Sequence, residues 1–469
     1  MVQFQPELLA AWTGGRWTAR PSAPPTGFAN DTRRMRAGEA FVALKTGRRD
    51  GRDFLGAARD AGAVAAVVAA ADPSVGLPQL VVADPLSAFQ AAAHGQRRLF
   101  GGPVVAISGS AGKTSTKELL ALLLGGEPAT GASPVLATAG NLNNQIGVPL
   151  TLTRLDPAVH LRAVIEAGVG APGEMAPLAA MIEPDIAIIT LVAPAHLDGF
   201  GSLERVACEK ALLAAAIRPG GVAIFPEACA GLPGFRELRV PVLLVGRMGE
   251  GSAADGPPGA ARVSFSTVHR GGETTVAFAG RQPADAFSLP RVSDGMAQNA
   301  ALAVCAARRL GVSDDAIRSR LARWRPAPLR GEMRRTDGRL LYLDCYNANP
   351  AAMADAISAF HSVAPPAQPR IFVLGGMEEL GAEAARYHRE LGRVLHLRAG
   401  DFLFIIGPHA DAVRAGAIEN GNLAGQISVV DSLQPVADRL SSFSGAVFAK
   451  GSRKYALETL FDAAAAAHA

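Results

Sequence analysis

The sequence predicts an α/β protein of three domains, the central one built on a mainly parallel sheet. Three observations carry that reading. The chain has 469 residues, more than one hydrophobic core ordinarily organises, and at roughly 150 residues per domain three are expected. From residue 104 onward, short apolar runs alternate with amphipathic segments, as strands buried on both faces and joined by helices do. Finally, Gly101-Gly102-Pro103 and the proline-bearing "RWRPAPLRGE" (323–332) interrupt the pattern. They divide the chain into 1–100, 101–325 and 326–469.

Residues 1–100 hold the short strand-like runs "EAFVAL", "AAVVAA" and "LPQLVVAD", then a helix in "PLSAFQAAAHGQRRLF". The central block supplies "VVAIS", "RAVIEAG", "IAIITLV" and "GVAIF" as buried strands of βαβ units. Its stretch 246–290 is rich in Gly, Ala, Asp and Pro and carries the alternating pieces "ARVSFSTV" and "TTVAFAG". That predicts a small antiparallel excursion, followed by a helix in "DGMAQNAALAVCAARRLG". The last block repeats the α/β pattern in "LLYLDCY", "RIFVLGGM", "DFLFIIG" and "GAVFAKG", a second, Rossmann-like sheet.

Composition narrows the class. Hydrophobic residues make up 49% and charged ones 19%, a globular balance. The 46 basic and 42 acidic residues are spread along the chain, so the net charge of +4 gives no case for a nucleic-acid partner. Cys208, Cys229, Cys305 and Cys345 are far apart and form no C-x-x-C pair, which favours reduced thiols in a cytoplasmic protein. The start of the chain shows no secretory signal, and apolar windows such as "AGAVAAVVAAA" are too short to span a bilayer. The expectation is a cytoplasmic monomer without membrane contact.

The stretch "VVAISGSAGKTSTKELLALLL" (104–124) reads as strand, glycine-rich turn and helix. The usual phosphate loop, G-x-x-x-x-G-K-[ST], carries a glycine five residues before Gly112, where this chain has Ile107. The chemistry is nevertheless present. Backbone N–H groups at the helix start, over Gly109, Ser110, Ala111 and Gly112, can cradle phosphates with the help of the helix dipole. Lys113 would reach the terminal phosphates, and the hydroxyl of Thr114 or Ser115 would bind Mg²⁺. The segment "GNLNNQIGVPLTL" offers amides, among them Asn141 and Asn144, that suit either a ligand or an Asn-rich turn. Glu166 ends one buried strand and His196 lies just beyond the next, on the ligand side of an open α/β sheet. Beside a phosphate loop, a carboxylate and an imidazole there point to a metal.

Gly109–Ser115 resembles the short G-x-x-G-K-T-[ST] loop of the Mur ligases. "GNLNNQIGVPLTL", "AHLDGFGSLERVACEK", "DCYNANPAAM", "MEELG" and "AKGSR" are similar to further motifs of that family, from "DTRRMRAGEAFVAL" nearly to the end of the chain. The resemblance implies an ATP- and Mg²⁺-dependent ligase of peptidoglycan synthesis, and so a part in cell shape and division. Its domains would bind the UDP end of the substrate, ATP, and the incoming amine. The motifs are most similar to those of the member that joins D-Ala-D-Ala to a UDP-linked muramoyl peptide.

By the same resemblance, Lys113, His196 and Lys210 are catalytic, and Thr114, Glu166, His196 and Lys210 serve metal, Lys210 as a carbamate. Asn299, Arg330 and Asp344 would contact the nucleotide. Asp31, Thr32 and Arg33 would hold the UDP end, with Asn141, Asn144, Tyr346, Asn347 and Asn349 as further substrate contacts. Lys450 and Arg453, in "KGSR", are weaker candidates, each readable simply as a surface charge. The chain departs from the family pattern at Arg52, at Gly295 and Met296, where an H-N-x-x-N element keeps only Asn299, and at Gly376.

Overall fold

A computed structural model of the protein describes residues 2–47, 49–126, 133–250, 256–280, 285–336 and 338–461. Three main sheets follow one another along the chain. The first has five short strands in the order Arg16–Trp17, Gln79–Val81, Ala65–Val68, Ala40–Val42, Phe28–Ala29, all parallel except the first pair. Its core is the cluster of Phe4, Phe28 and Phe89 around Val42 and Val67.

The central sheet has nine strands. Val135–Ala137, Arg162–Glu166, Val104–Ser108, Ile186–Ile189, Val222–Pro226, Val242–Arg247 and Ala261–Arg270 run parallel in that order. Glu273–Phe278 and Ala286–Pro290 then add two antiparallel strands. The antiparallel excursion expected over 246–290 is thus an extension of the main sheet. Its first strand pairs in parallel with Val242–Arg247, because Phe265 continues the buried face begun by Val245. Residues 251–255 and 281–284 of that stretch lie outside the described residues.

The last sheet has six strands: Glu332–Thr336, Arg339–Asp344, Ala446–Lys450, Arg370–Gly375, Phe402–Ile406 and Ile427–Val430, with only the first antiparallel. One set of packed buried side chains runs from Ile165 and Phe225 in the central sheet to Phe448 in this one and Phe360 on the helix Pro350–Val363. No helix among the described residues is long and apolar enough to cross a membrane.

The first two sheets are locked by one buried cation. Arg97, near the end of the helix Pro85–Leu99, donates to Ile182 O (2.8 Å), Phe100 O (3.2 Å), Glu183 O (2.8 Å) and Asp185 Oδ2 (3.1 Å). Burial lowers its pKa, and the Asp185 carboxylate opposes that. Removing the guanidinium strands three carbonyls and leaves the Asp185 carboxylate with only Val104 N–H and the more distant Arg218. Arg97→Ala is therefore expected to cost about 3 kcal/mol, read as an earlier unfolding transition in urea.

Candidate active site

The strand Val104–Ser108 lies inside the central sheet, and its C-terminal end delivers the chain into the loop. Two glycines make the turn possible. Gly109 has φ +146°, and a Cβ there would lie 2.0 Å from Thr190 Oγ1. Gly112 has φ +79° and would meet Asn299 Nδ2 at 2.3 Å. The glycine missing from the usual pattern, at Ile107, falls within the strand, fully buried, so the turn has no use for it. The neighbouring strand end pins the loop: Ser110 N–H donates to Leu191 O (2.7 Å) and Ser110 Oγ to Ala193 O (2.8 Å). Thr190 Oγ1 donates to Ala111 O (2.5 Å).

Lys113 begins the helix Lys113–Leu123 and folds back, donating from Nζ to Gly109 O (2.8 Å). Burial lowers its pKa, Glu166 opposes this, and Arg330 adds to it. Glu166 ends the adjacent strand. Its Oε1 accepts from Thr114 Oγ1 (3.2 Å) and Asn143 Nδ2 (2.7 Å), while its own N–H donates to Thr138 Oγ1 (2.9 Å). Oε2 is buried with no hydrogen-bond partner, the nearest cation being Lys117 Nζ at 3.9 Å. An unsatisfied carboxylate oxygen beside a threonine hydroxyl is a donor set suited to Mg²⁺.

His196 and Lys210 approach from the next connection. His196 sits in the left-handed region (φ +54°), which turns its ring toward the C-terminal domain. There Nδ1 pairs with Glu379 Oε2, on a residue also in the left-handed region (φ +61°). That contact leaves Nε2 as the free ring nitrogen. Burial lowers the His196 pKa, Glu379 opposes this, and Lys113 and Lys210 lower it further. Lys210 is 1% exposed. Burial and then Lys113 bring its pKa down to about 7, against a raising effect of Glu209. Glu209 is spent elsewhere, accepting from Gly173 N (3.0 Å) and Met175 N (2.6 Å).

The C-terminal domain closes the site. Asn349 caps the helix Pro350–Val363 through Oδ1, accepting from Ala352 N (2.9 Å), and donates from Nδ2 to Ser110 O in the loop (3.1 Å). Lys450 is buried, bonded to Asp344 Oδ2 (2.6 Å) and Asn347 O (3.0 Å), so it is not the surface charge that its sequence context allowed. The Arg330 guanidinium lies 3.9 Å above the Tyr346 ring. Between loop and domain is a cleft of about 410 Å³, lined among others by Ser115, Asn141, Asn299, Asp344 and Tyr346. A smaller cavity of about 170 Å³ adjoins His196, Asn347, Asn349, Glu378 and Glu379.

Several residues fall differently from the sequence reading. Asn144 spends its oxygen on Ile146 N (3.1 Å) and Gly147 N (2.8 Å), the turn entering the helix Gly147–Leu152. Its neighbour Asn143 is the amide that touches Glu166. Lys117 was hidden in an amphipathic helix; only its spacing of four from Lys113 hints that both share a face. Glu379 carried no local signal beyond "MEELG". Asp31, Thr32 and Arg33 lie outside the cleft on the first domain. There Arg33 Nη2 holds Asp31 Oδ2 (2.7 Å) and Arg33 N–H donates to Oδ1 (3.0 Å), bringing the Asp31 pKa to about 2. At Gly376 a Cβ would stand 2.6 Å from Tyr455 Oη, so the phenol fills that room and donates to Glu378 (2.5 Å).

Fold and site together define a nucleotide-dependent enzyme of the phosphate-loop class, with a second α/β domain closing on the loop. Family comparison agrees: residues 107–307 match the Mur ligase middle domain, and 329–453 match the Mur ligase, glutamate ligase domain. The UDP-N-acetylmuramoyl-tripeptide–D-alanyl-D-alanine ligase of Escherichia coli (strain K12) is 31% identical over 436 residues, 91% of each chain. That of Bacillus subtilis (strain 168) is 29% identical over 441 residues, 92% of each chain. Among solved structures, MurF from Acinetobacter baumannii superposes with a TM-score of 0.82 at 27% identity, covering 98% of both chains. The MurF ligase of Thermotoga maritima in complex with ADP gives 0.75 at 26%, covering 94% of this chain and 98% of that one. The chain belongs to the Mur ligase family.

Proposed function

We propose that this enzyme joins D-alanyl-D-alanine to a UDP-N-acetylmuramoyl-tripeptide in the cytoplasm, using ATP. The terminal carboxylate of the tripeptide takes the γ-phosphoryl group to become an acyl phosphate. The dipeptide amine then displaces phosphate and forms the amide. Residues 1–100 would bind the UDP end, with Arg33 toward the diphosphate; residues 101–325 would bind ATP, and 326–469 would complete the site.

One observation carries the reading. Asn349, in the "YNANP" segment of the last domain, donates directly to the backbone of the phosphate loop. The residues that would meet the incoming amine are thereby tied to those that would hold the transferred phosphoryl group. Loop N–H groups and Lys113 stabilise the charge on that group, and Arg330 and Asn299 border the nucleotide.

The donors present fit Mg²⁺: Thr114 and Glu166 would hold one ion, and His196 with Lys210 would serve a second. Bound there, Mg²⁺ supplies charge neutralisation between the carboxylate and the phosphate it must approach. An ammonium at Lys210 would oppose that, whereas a carbamate would assist it. With its pKa near 7, Lys210 has a neutral amine available to take up CO₂.

The test is phosphate release from ATP, with the UDP-tripeptide and D-Ala-D-Ala each omitted in turn. Release is expected only when both are present. Equal turnover with a single amino acid in place of the dipeptide would reassign the enzyme to another Mur-type activity.

A further inference from the structure

If ATP places its phosphates on the loop, its base must lie in what remains of the cleft. One part of that lining carries the cations Lys450 and Arg330, suited to phosphate or carboxylate. Another carries Val292, Met296 and Ala352, whose apolar surface suits the faces of a purine, with the carboxyl of Asp355 beside them.

Asp355 belongs to the helix Pro350–Val363 of the C-terminal domain but reaches the start of the central-domain helix Asp294–Arg309. Gly295 N–H donates to its Oδ1 (2.9 Å). Oδ2 lies 2.6 Å from the point where a Cβ on residue 295 would stand, so the carboxyl occupies the room of a side chain there. Gly295 and Met296 bring no polar side chain of their own. Ser293 Oγ accepts from Met296 N (3.2 Å) and its side chain also hydrogen-bonds Asp355, while Gln298 Nε2 donates to Val245 O (3.3 Å). A carboxyl has about four acceptor positions, and the Gly295 and Ser293 bonds leave about two of them open.

We propose that Asp355 reads the nucleotide base, accepting a hydrogen bond from the 6-amino group of adenine and so selecting ATP over purine nucleotides that lack that amine. The proposal rests on the ATP reading above. Burial, and then the Asp294 and Asp344 carboxylates, raise the Asp355 pKa.

The experiment compares kcat/KM for ATP and for purine riboside 5′-triphosphate, which lacks the 6-amino group, in the complete phosphate-release assay. The native enzyme is expected to prefer ATP by about tenfold or more, and Asp355→Ala to bring that preference to within about two-fold. Asp355→Ser keeps an oxygen near Gly295 N–H but is too short to reach the base. It should lose the preference equally, and it serves if the alanine variant does not fold. A uniform loss with both nucleotides, the ratio kept, would overturn the proposal and leave Asp355 as a cap on the neighbouring domain's helix. So would a native enzyme that does not discriminate. Absence of any ATP turnover by the native enzyme is a different result, and it would sink the ATP reading itself.

Discussion

Lys113→Ala is expected to lower kcat by on the order of 10³-fold, with the protein still folded. On the proposed reading, the lysine would be the loop cation closest to where the transferred charge develops. Its Nζ is held 2.8 Å from Gly109 O at the mouth of the loop, free of any carboxylate hydrogen bond that would have to break first. Burial lowers its pKa, and that cost of holding a charge there is recovered when anionic phosphates arrive. The fold should be indifferent to the change, because the glycines and the Ser110 and Thr190 hydrogen bonds shape the loop without the side chain. Lys113→Arg should recover little, since a planar fork cannot fit where a single Nζ folds back on the loop. The check is phosphate release at saturating ATP alongside circular dichroism. Near-native turnover in folded Lys113→Ala would remove the loop from the chemistry.

Lys210→Ala is expected to lose activity by at least about 10²-fold and to regain part of it with bicarbonate or a short carboxylate. The argument is one of charge sign. An ordinary lysine, with a pKa of about 10.4, would put a second ammonium beside Lys113 and repel the cation that Glu166 is placed to hold. Burial brings the pKa of the native Lys210 down to about 7, so a neutral amine is available, increasingly so as the pH rises. The neutral amine adds to CO₂, its nitrogen bonding to carbon and one proton leaving to solvent. The product is an anion in a pocket that already holds Lys113. Activity should accordingly rise with bicarbonate at pH 8. It should fall in CO₂-depleted buffer at pH 6, where the amine is protonated and the carbamate reverts. Lys210→Arg, fixed as a cation, should respond to neither. A mass of the intact active enzyme and an electron-density map both showing a bare ammonium would refute the carbamate.

The chain itself determines a good deal of this. The almost wholly apolar runs "VVAIS" and "IAIITLV" suit strands covered on both faces, so the parallel sheet is legible from them. Gly109 and Gly112 are required by backbone angles that other residues avoid, so the loop is legible too. Local chemistry was enough at those positions, because strand, turn and helix start are contiguous in sequence.

Contacts made across the chain are another matter. Asn143 rather than Asn144 reaches Glu166 because the turn before Gly147 consumes one amide and aims the other. Whether Lys450 is a surface charge or a buried partner of Asp344 depends on two strands that are far apart in sequence and adjacent in the sheet. The lowered pKa of Lys210, the Glu379 contact to His196 and the reach of Asp355 to Gly295 all come from packing one domain or element against another. Desolvation and hydrogen bonding act over a few ångströms in space and take no account of separation along the chain. For that reason residue types announced the loop and its lysine, while only the tertiary structure decided which neighbours tune them.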